Sequence, residues 1–181
     1  MYASIYFIIS QTTYAQENLE WNVAMSKNNI ILWIEDRPIE VIGQIEQAKR
    51  AGYQVEVIVT TETIQETLET GAVIAIIVDV MLFGMNDLRG FNIKGASTDS
   101  GLETGWAIIE SFLRLPTSTY RHIPILVVSG RAYNEEQQQR LSAIRQLSGG
   151  DIHYLEKYQV GWQNKFSEWL NGLAQKEKTD V

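Results

Sequence analysis

Five short apolar runs punctuate the chain from residue 30 onward: Ile30–Ile34, Val55–Val59, Val73–Val78, Ile123–Val128 and Ile152–Leu155. Runs of this length, rich in Ile and Val, predict strands buried on both faces. Between them lie segments of helical period. Pro38 suits a first helical turn, and Ile39, Ile42, Ile45 and Ala48 predict an apolar stripe that stops at Gly52. Thr63-x-x-Glu66 and Ser100-x-x-Glu103 have the form of capping boxes, and Asn134 with Gln137 is a looser version, so each predicts a helix start. The last helix is predicted from about Gly161, with Trp162, Phe166, Trp169 and Leu173 on one side, before a charged tail over residues 175–181. Strands alternating with helices in this way predict a parallel sheet covered on both faces, one α/β domain over residues 29–174.

Residues 1–28 are expected to lie outside that domain as an N-terminal extension. Tyr2–Ile9 is largely apolar and Tyr14-Ala15-Gln16 loosely resembles a signal-peptidase site, but the stretch before it has no Lys or Arg, which argues against a secretory leader. A second methionine, Met25, directly precedes the first strand and is an alternative start of translation. The chain has no cysteine, which removes disulfide frameworks and thiolate metal sites and points to the cytoplasm. A formal net charge of −7 opposes binding to a phosphate backbone, so no nucleic-acid partner is expected, and no apolar run is long enough to imply a membrane. The Gln137–Gln139 run reads as a solvated helix face, His122 and His153 as fillers without ligand spacing, and Gly149-Gly150 as a turn.

In an open parallel sheet, ligands bind beyond the carboxyl ends of the strands. The residues that end the predicted strands form a consistent set: Glu35-Asp36, Asp79, Ser129-Gly130 and Glu156-Lys157. Single strand-end Asp or Ser residues are commonly turn formers, but turn chemistry does not explain so many polar groups on one edge. Clustered carboxylates repel unless a cation neutralises them, and a hard divalent ion, Mg²⁺ or Mn²⁺, takes one or two carboxylates plus water. Lys157 and Ser129 supply an ammonium and a hydroxyl for phosphoryl oxygens. Asp79, ending the expected central strand, is then the candidate nucleophile.

With these residues in place the chain resembles the receiver domains of two-component response regulators over roughly residues 29–174. Trp33-Ile34-Glu35-Asp36 is similar to the acidic pair, Val78-Asp79-Val80-Met81-Leu82 to the phosphoacceptor motif, Val127-Val128-Ser129-Gly130 to the hydroxyl motif and Tyr154-Leu155-Glu156-Lys157 to the lysine motif. The resemblance implies a flavodoxin-like doubly wound five-stranded parallel sheet of order 2-1-3-4-5. It implies Asp79 as phosphoacceptor, with Asp36 and Asp79 binding Mg²⁺ directly, Glu35 acting through water and Met81 giving its backbone carbonyl. Tyr154 matches the aromatic whose rotation accompanies movement of the hydroxyl residue, here Ser129. A sensor histidine kinase or phosphotransfer protein would be the donor and a downstream protein the effector, with a phosphorylation-dependent homodimer as a further partner. Such a domain catalyses only its own phosphorylation and dephosphorylation.

The chain also departs from the family's pattern. Tyr158 stands where a proline usually follows the lysine, Phe83-Gly84 where a proline usually lies beyond the acceptor, and the segment Phe83–Gly101 is long. That loop is open to three roles: covering the site, recognising a partner, or none. Met81 and Arg131 occupy positions that tune acyl-phosphate lifetime in the family. Three rival readings remain. A phosphatase of haloacid-dehalogenase type needs a second Asp two residues after the nucleophile, where this chain has Met81. A pseudo-receiver would keep the fold as a binding module without phosphorylation. Flavin binding would need a Ser/Thr-rich phosphate loop after the first strand, which is absent.

Overall fold

The computed structural model describes residues 29–61, 63–85, 87–88, 91, 93, 98–147 and 150–177. The expectations for the leader, for Met25, for Gly149 and for residues 178–181 lie outside the described residues. Five strands, β1 Ile30–Ile34, β2 Gln54–Ile58, β3 Val73–Asp79, β4 Ile125–Ser129 and β5 Ile152–Glu156, form one sheet. All pairings are parallel and the order is β2-β1-β3-β4-β5, as expected. The helices are α1 Ile42–Arg50, α2 Ile64–Glu69, α3 Thr104–Ile108, α4 Glu135–Leu147 and α5 Trp162–Glu177. None of them is long and apolar enough to cross a membrane.

Alternation along the strands divides the core in two, because successive side chains point to opposite faces. Leu32, Ile34, Ile76, Val78, Ile125 and Val127 face α2, α3 and α4. Ile31, Trp33, Ala75, Ile77, Leu126 and Val128 face α1 and α5, where Trp33 and Phe166 meet with ring centroids 5.7 Å apart. With helices on both faces, the sheet needs apolar residues at every position of its inner strands, which is why those strands read as unbroken apolar runs.

Several local expectations are corrected. The first helix opens with a 3₁₀ turn, Pro38–Val41, and its buried stripe is Val41, Ile45 and Ala48, while Ile39 and Ile42 are exposed. The i, i+4, i+7 spacing of those three follows the 3.6-residue period, which the three-residue steps of the expected stripe do not. In α5, Leu170 is buried and Trp169 only half-buried. The helix runs to Glu177, three residues into the expected tail.

Only one of the expected caps forms. Asn134 Oδ1 accepts the Gln137 N–H at 3.1 Å, whereas neither α2 nor α3 has a side-chain cap. Strand β4 begins at Ile125 rather than Ile123, because Pro124 has no N–H for the ladder and contributes only its carbonyl, to Ile76 N–H at 2.9 Å. The end of α3 widens into a π-helical turn, Ile109–Leu113, closed by Arg114 N–H to Ile109 O at 2.8 Å.

Candidate functional site

The polar residues that end the strands meet at the carboxyl edge of the sheet. Glu35 and Asp36 follow β1 and its pairing with β2, Asp79 closes β3, Ser129 closes β4 and Lys157 follows β5. Parallel register makes this convergence automatic, since Asp79 is level with Val128 and Ser129 with Glu156.

Lys157 Nζ lies 2.7 Å from Glu35 Oε2 and 2.7 Å from Asp79 Oδ2, and all three side chains are almost fully buried. Asp79 Oδ1 accepts the Met81 N–H at 3.1 Å, and Glu35 Oε1 accepts the Arg37 N–H at 3.1 Å. Burial pushes the Asp79 and Glu35 carboxyls above their ordinary values, outweighing Lys157, and each is raised further by a neighbouring carboxylate. Burial works to lower the Lys157 ammonium, but Asp79 and Glu35 outweigh it and raise it. With Asp36, three carboxylates face one ammonium in a water-poor site, where burial raises the two carboxyls and the carboxylates raise the ammonium, so the cluster holds protons and attracts cations.

A cavity of about 200 Å³ opens beside this cluster, with Asp36, Asp79, Met81, Gly130 and Lys157 in its wall. Asp36 Oδ2 accepts the Gly84 N–H at 2.8 Å, while Asp36 Oδ1 is buried without a hydrogen-bond partner. An unsatisfied buried carboxylate oxygen is costly, and a cation would satisfy it. Among the described residues no group of three metal-ligating side chains is close enough to hold an ion unaided. A donor set of two carboxylates, a backbone carbonyl and water is what Mg²⁺ accepts, so Asp36, Asp79 and the Met81 carbonyl fit that ion.

Glu35 and Ser129 are brought to the cluster but do not line the cavity. Glu35 is spent on Lys157 and the Arg37 amide. Ser129 is fully buried, with its Oγ accepting the Arg131 N–H at 3.1 Å and its carbonyl accepting the Lys157 N–H at 2.7 Å. Tyr154 donates its hydroxyl to Arg131 O at 2.9 Å and lies between the rings of Tyr133, at 4.9 Å, and Trp106, at 6.4 Å. Burial pushes the Tyr154 phenol up. The Arg140 guanidinium covers the Trp106 ring 5.0 Å from its centroid. Arg131 turns to Glu103, and Arg140 reaches Glu103 and Glu110, at 2.5 Å each.

Four site features escape sequence reading. Gln137, expected in a solvated run, is buried and accepts the Trp106 indole N–H at 3.0 Å. Gly105 lets α3 pack on the end of β3, where a Cβ would stand 2.0 Å from the Asp79 carbonyl oxygen. Gly84 holds Asp36 through its amide. Tyr158 adopts a left-handed backbone, φ 67°, at a cost of about 1–2 kcal/mol for a residue with a Cβ, and donates its hydroxyl to Glu40 Oε2 at 2.9 Å. Only the conspicuous length of the Phe83–Gly101 segment signalled that loop's involvement; the other partners are remote in sequence.

That segment is built into the domain at several of its described residues. Leu82 N–H meets Gly101 O at 2.9 Å, closing the loop at its base, and Met85, Leu88 and Phe91 are buried in the core on the α2–α4 side. Phe91 packs edge-on to Phe112 with centroids 5.0 Å apart. His122 and His153 are exposed. A larger cavity, about 360 Å³, lies between β5 and α5 and contains none of Asp36, Asp79 or Lys157.

A doubly wound five-stranded parallel sheet with its polar strand ends gathered over the central strand places the molecule in the flavodoxin-like class of α/β folds. Within that class its fold is that of response-regulator receiver domains. It is similar to a putative response regulator from Chloroflexus aurantiacus, with TM-score 0.52, 17% identity, and 81% of this chain and 98% of that one covered. It is similar to the signal receiver domain of a response regulator from Bermanella marisrubri, with TM-score 0.52, 20% identity, and 81% and 98% covered. The receiver domain of a Francisella response regulator gives TM-score 0.51 at 13% identity, with 83% and 99% covered. No protein-family model matches the chain, and no curated protein sequence matches it.

Proposed function

We propose that this domain accepts a phosphoryl group on Asp79 from a phosphohistidine of a sensor histidine kinase or phosphotransfer protein, and signals onward by contact with a downstream protein. The observation that carries this reading is the buried Lys157 bridging Glu35 and Asp79 beside a cavity that Asp36 lines, with one Asp36 oxygen buried and unpartnered. Structural carboxylates are paired off, whereas this set keeps a net negative charge and an open wall, the state expected of a site that awaits a cation and a phosphoryl group.

Asp79 is the nucleophile: a carboxylate oxygen forms a bond to phosphorus while the bond to the donor nitrogen breaks, and the histidine leaves as neutral imidazole after taking up a proton. Lys157 stays protonated and supplies positive charge for a phosphoryl oxygen as its hold on Asp79 is exchanged. The Met81 amide fixes the carboxylate's orientation through Oδ1. Ser129 Oγ accepts the Arg131 amide and keeps its own hydroxyl proton for a phosphoryl oxygen, and the Arg131 carbonyl that accepts from Tyr154 links this point to the Tyr154 stack. Mg²⁺, when bound by Asp36, Asp79 and the Met81 carbonyl, would neutralise charge on the transferring group. The domain serves no external turnover, and a kinase donor places it in the cytoplasm.

Intact mass after incubation with Mg²⁺ and acetyl phosphate tests this. The expected result is one adduct of about 80 Da on wild type, absent without Mg²⁺ and absent from Asp79→Asn. A folded wild type that takes no adduct would favour the pseudo-receiver reading, a binding module that keeps the fold without phosphorylation.

A further inference from the structure

Phosphoryl transfer leaves Tyr158 without a task, although the chain places it at the mouth of the Asp79 cavity. Its backbone is left-handed, φ 67°, and its side chain is 65% exposed, so core packing does not offset the strain. Strain held without packing is characteristic of functional positions. What holds the ring is polar: its hydroxyl donates to Glu40 Oε2 at 2.9 Å, and Arg37 lies 2.7 Å from Glu40 Oε1. Tyr158 follows β5 and Glu40 follows β1, so this bond ties together segments 118 residues apart, and both residues line the cavity. The ring edge also borders Gly130, with Cε2 3.8 Å from where a Cβ on that glycine would stand.

We propose that Tyr158 is a gating residue: with Glu40 it forms a strap across the mouth of the Asp79 cavity that excludes bulky phosphodonors and slows the entry of water. The proposal rests on phosphorylation of Asp79. Loading from an acyl phosphate joins an Asp79 oxygen to phosphorus as the bond to the donor's carboxylate breaks, the carboxylate leaving with the electron pair. Decay is attack by water on the same phosphorus, with Asp79 leaving as carboxylate, inorganic phosphate formed and a proton passed to solvent. Both reactions cross the strap. A single exposed hydrogen bond is weak enough to open thermally and to be displaced by a docking phosphoprotein.

The test uses the full chain with Mg²⁺ and two donors of different size, acetyl phosphate and benzoyl phosphate, followed by intact mass. Tyr158→Phe and Glu40→Ala each delete the strap's bond and are expected to speed decay of the adduct about threefold. Tyr158→Gly deletes the ring in a backbone that glycine adopts freely, and the benzoyl-to-acetyl ratio of loading rates is expected to rise at least about fivefold. An adduct on wild type with decay and donor ratio unchanged in all three variants overturns the gate and leaves Asp79 phosphorylation standing. Faster decay with an unchanged donor ratio also overturns it, since general loosening of the site does the same. Absence of any adduct on wild type overturns both readings.

Discussion

Lys157 is the residue on which the site's stability turns. It neutralises two buried carboxylates at 2.7 Å each, and among the described residues neither carboxylate has a second ion-pair partner. Replacing Lys157 with Met keeps the stem's bulk but leaves Glu35 and Asp79 buried and unpaired, and the removal of one partner of a buried ion pair costs about 3–5 kcal/mol. Chemical denaturation at neutral pH without Mg²⁺ checks this. A loss under about 1 kcal/mol would mean that the carboxylates are hydrated and the cluster is far wetter than its geometry implies. Lys157 and both its partners were legible as strand-end residues. The roles of Tyr158 and Gly84 were not, although both positions stood out as departures from the family's pattern, because those roles rest on a backbone angle and an amide that no residue type announces.

The segment after β3 decides how the acceptor is framed. Its base is closed by the Leu82–Gly101 bond, its Gly84 amide orients Asp36, and Met85, Leu88 and Phe91 fix it in the core. These buried side chains argue that the insertion folds with the domain. Phe91→Ala is therefore expected to destabilise the protein by about 3–5 kcal/mol, the range for truncating a buried aromatic, as read from urea unfolding. A change within about 0.5 kcal/mol would show the loop to be a surface appendage. The sequence marks this stretch only as long and rich in Gly, Asn, Asp and Ser, since apolar residues spaced without a helical or strand period give no sign of where they dock. The expected cap of α3 fails for a related reason: Glu103, the expected partner of Ser100, is drawn instead to Arg131 and Arg140 from distant segments.

At the scale of the whole molecule the carboxylate cluster sets a pH dependence. Asp79 and Glu35 have raised pKa values in the folded state. Groups of that kind favour folding below their unfolded pKa, and the contribution is lost as pH rises through the folded value. Lys157 is also raised, so its contribution persists through neutrality and is lost only above its folded value. The Mg²⁺-free protein is thus expected to lose the Asp79 and Glu35 contribution as pH climbs from the acid range towards neutrality. Mg²⁺ competes with those protons, so the stability gap between Mg²⁺-bound and Mg²⁺-free protein should widen over the same interval, reaching about 2.7 kcal/mol when Mg²⁺ is at a hundred times its Kd. Thermal melts from about pH 4 to pH 7 with and without Mg²⁺ measure this, and Asp79→Asn should shrink the gap. A gap that does not vary with pH would separate the stabilising cation from these carboxylates.

By itself the sequence determined the strand-and-helix alternation, the parallel sheet and the polar strand ends, because these follow from period, run length and position, which are properties of neighbours along the chain. Five parallel strands in register bring Glu35, Asp36, Asp79, Ser129 and Lys157 to one edge wherever the loops run. The tertiary structure alone decided which of those groups face the cavity and which are spent on each other: Glu35 on Lys157, Ser129 on Arg131, and Asp36 half on Gly84. It also decided that Gln137 lies buried against Trp106 and that Tyr158 reaches Glu40. Those choices are made by side chains and amides that are distant in sequence and meet only after packing has fixed the backbone, and no local pattern encodes such meetings.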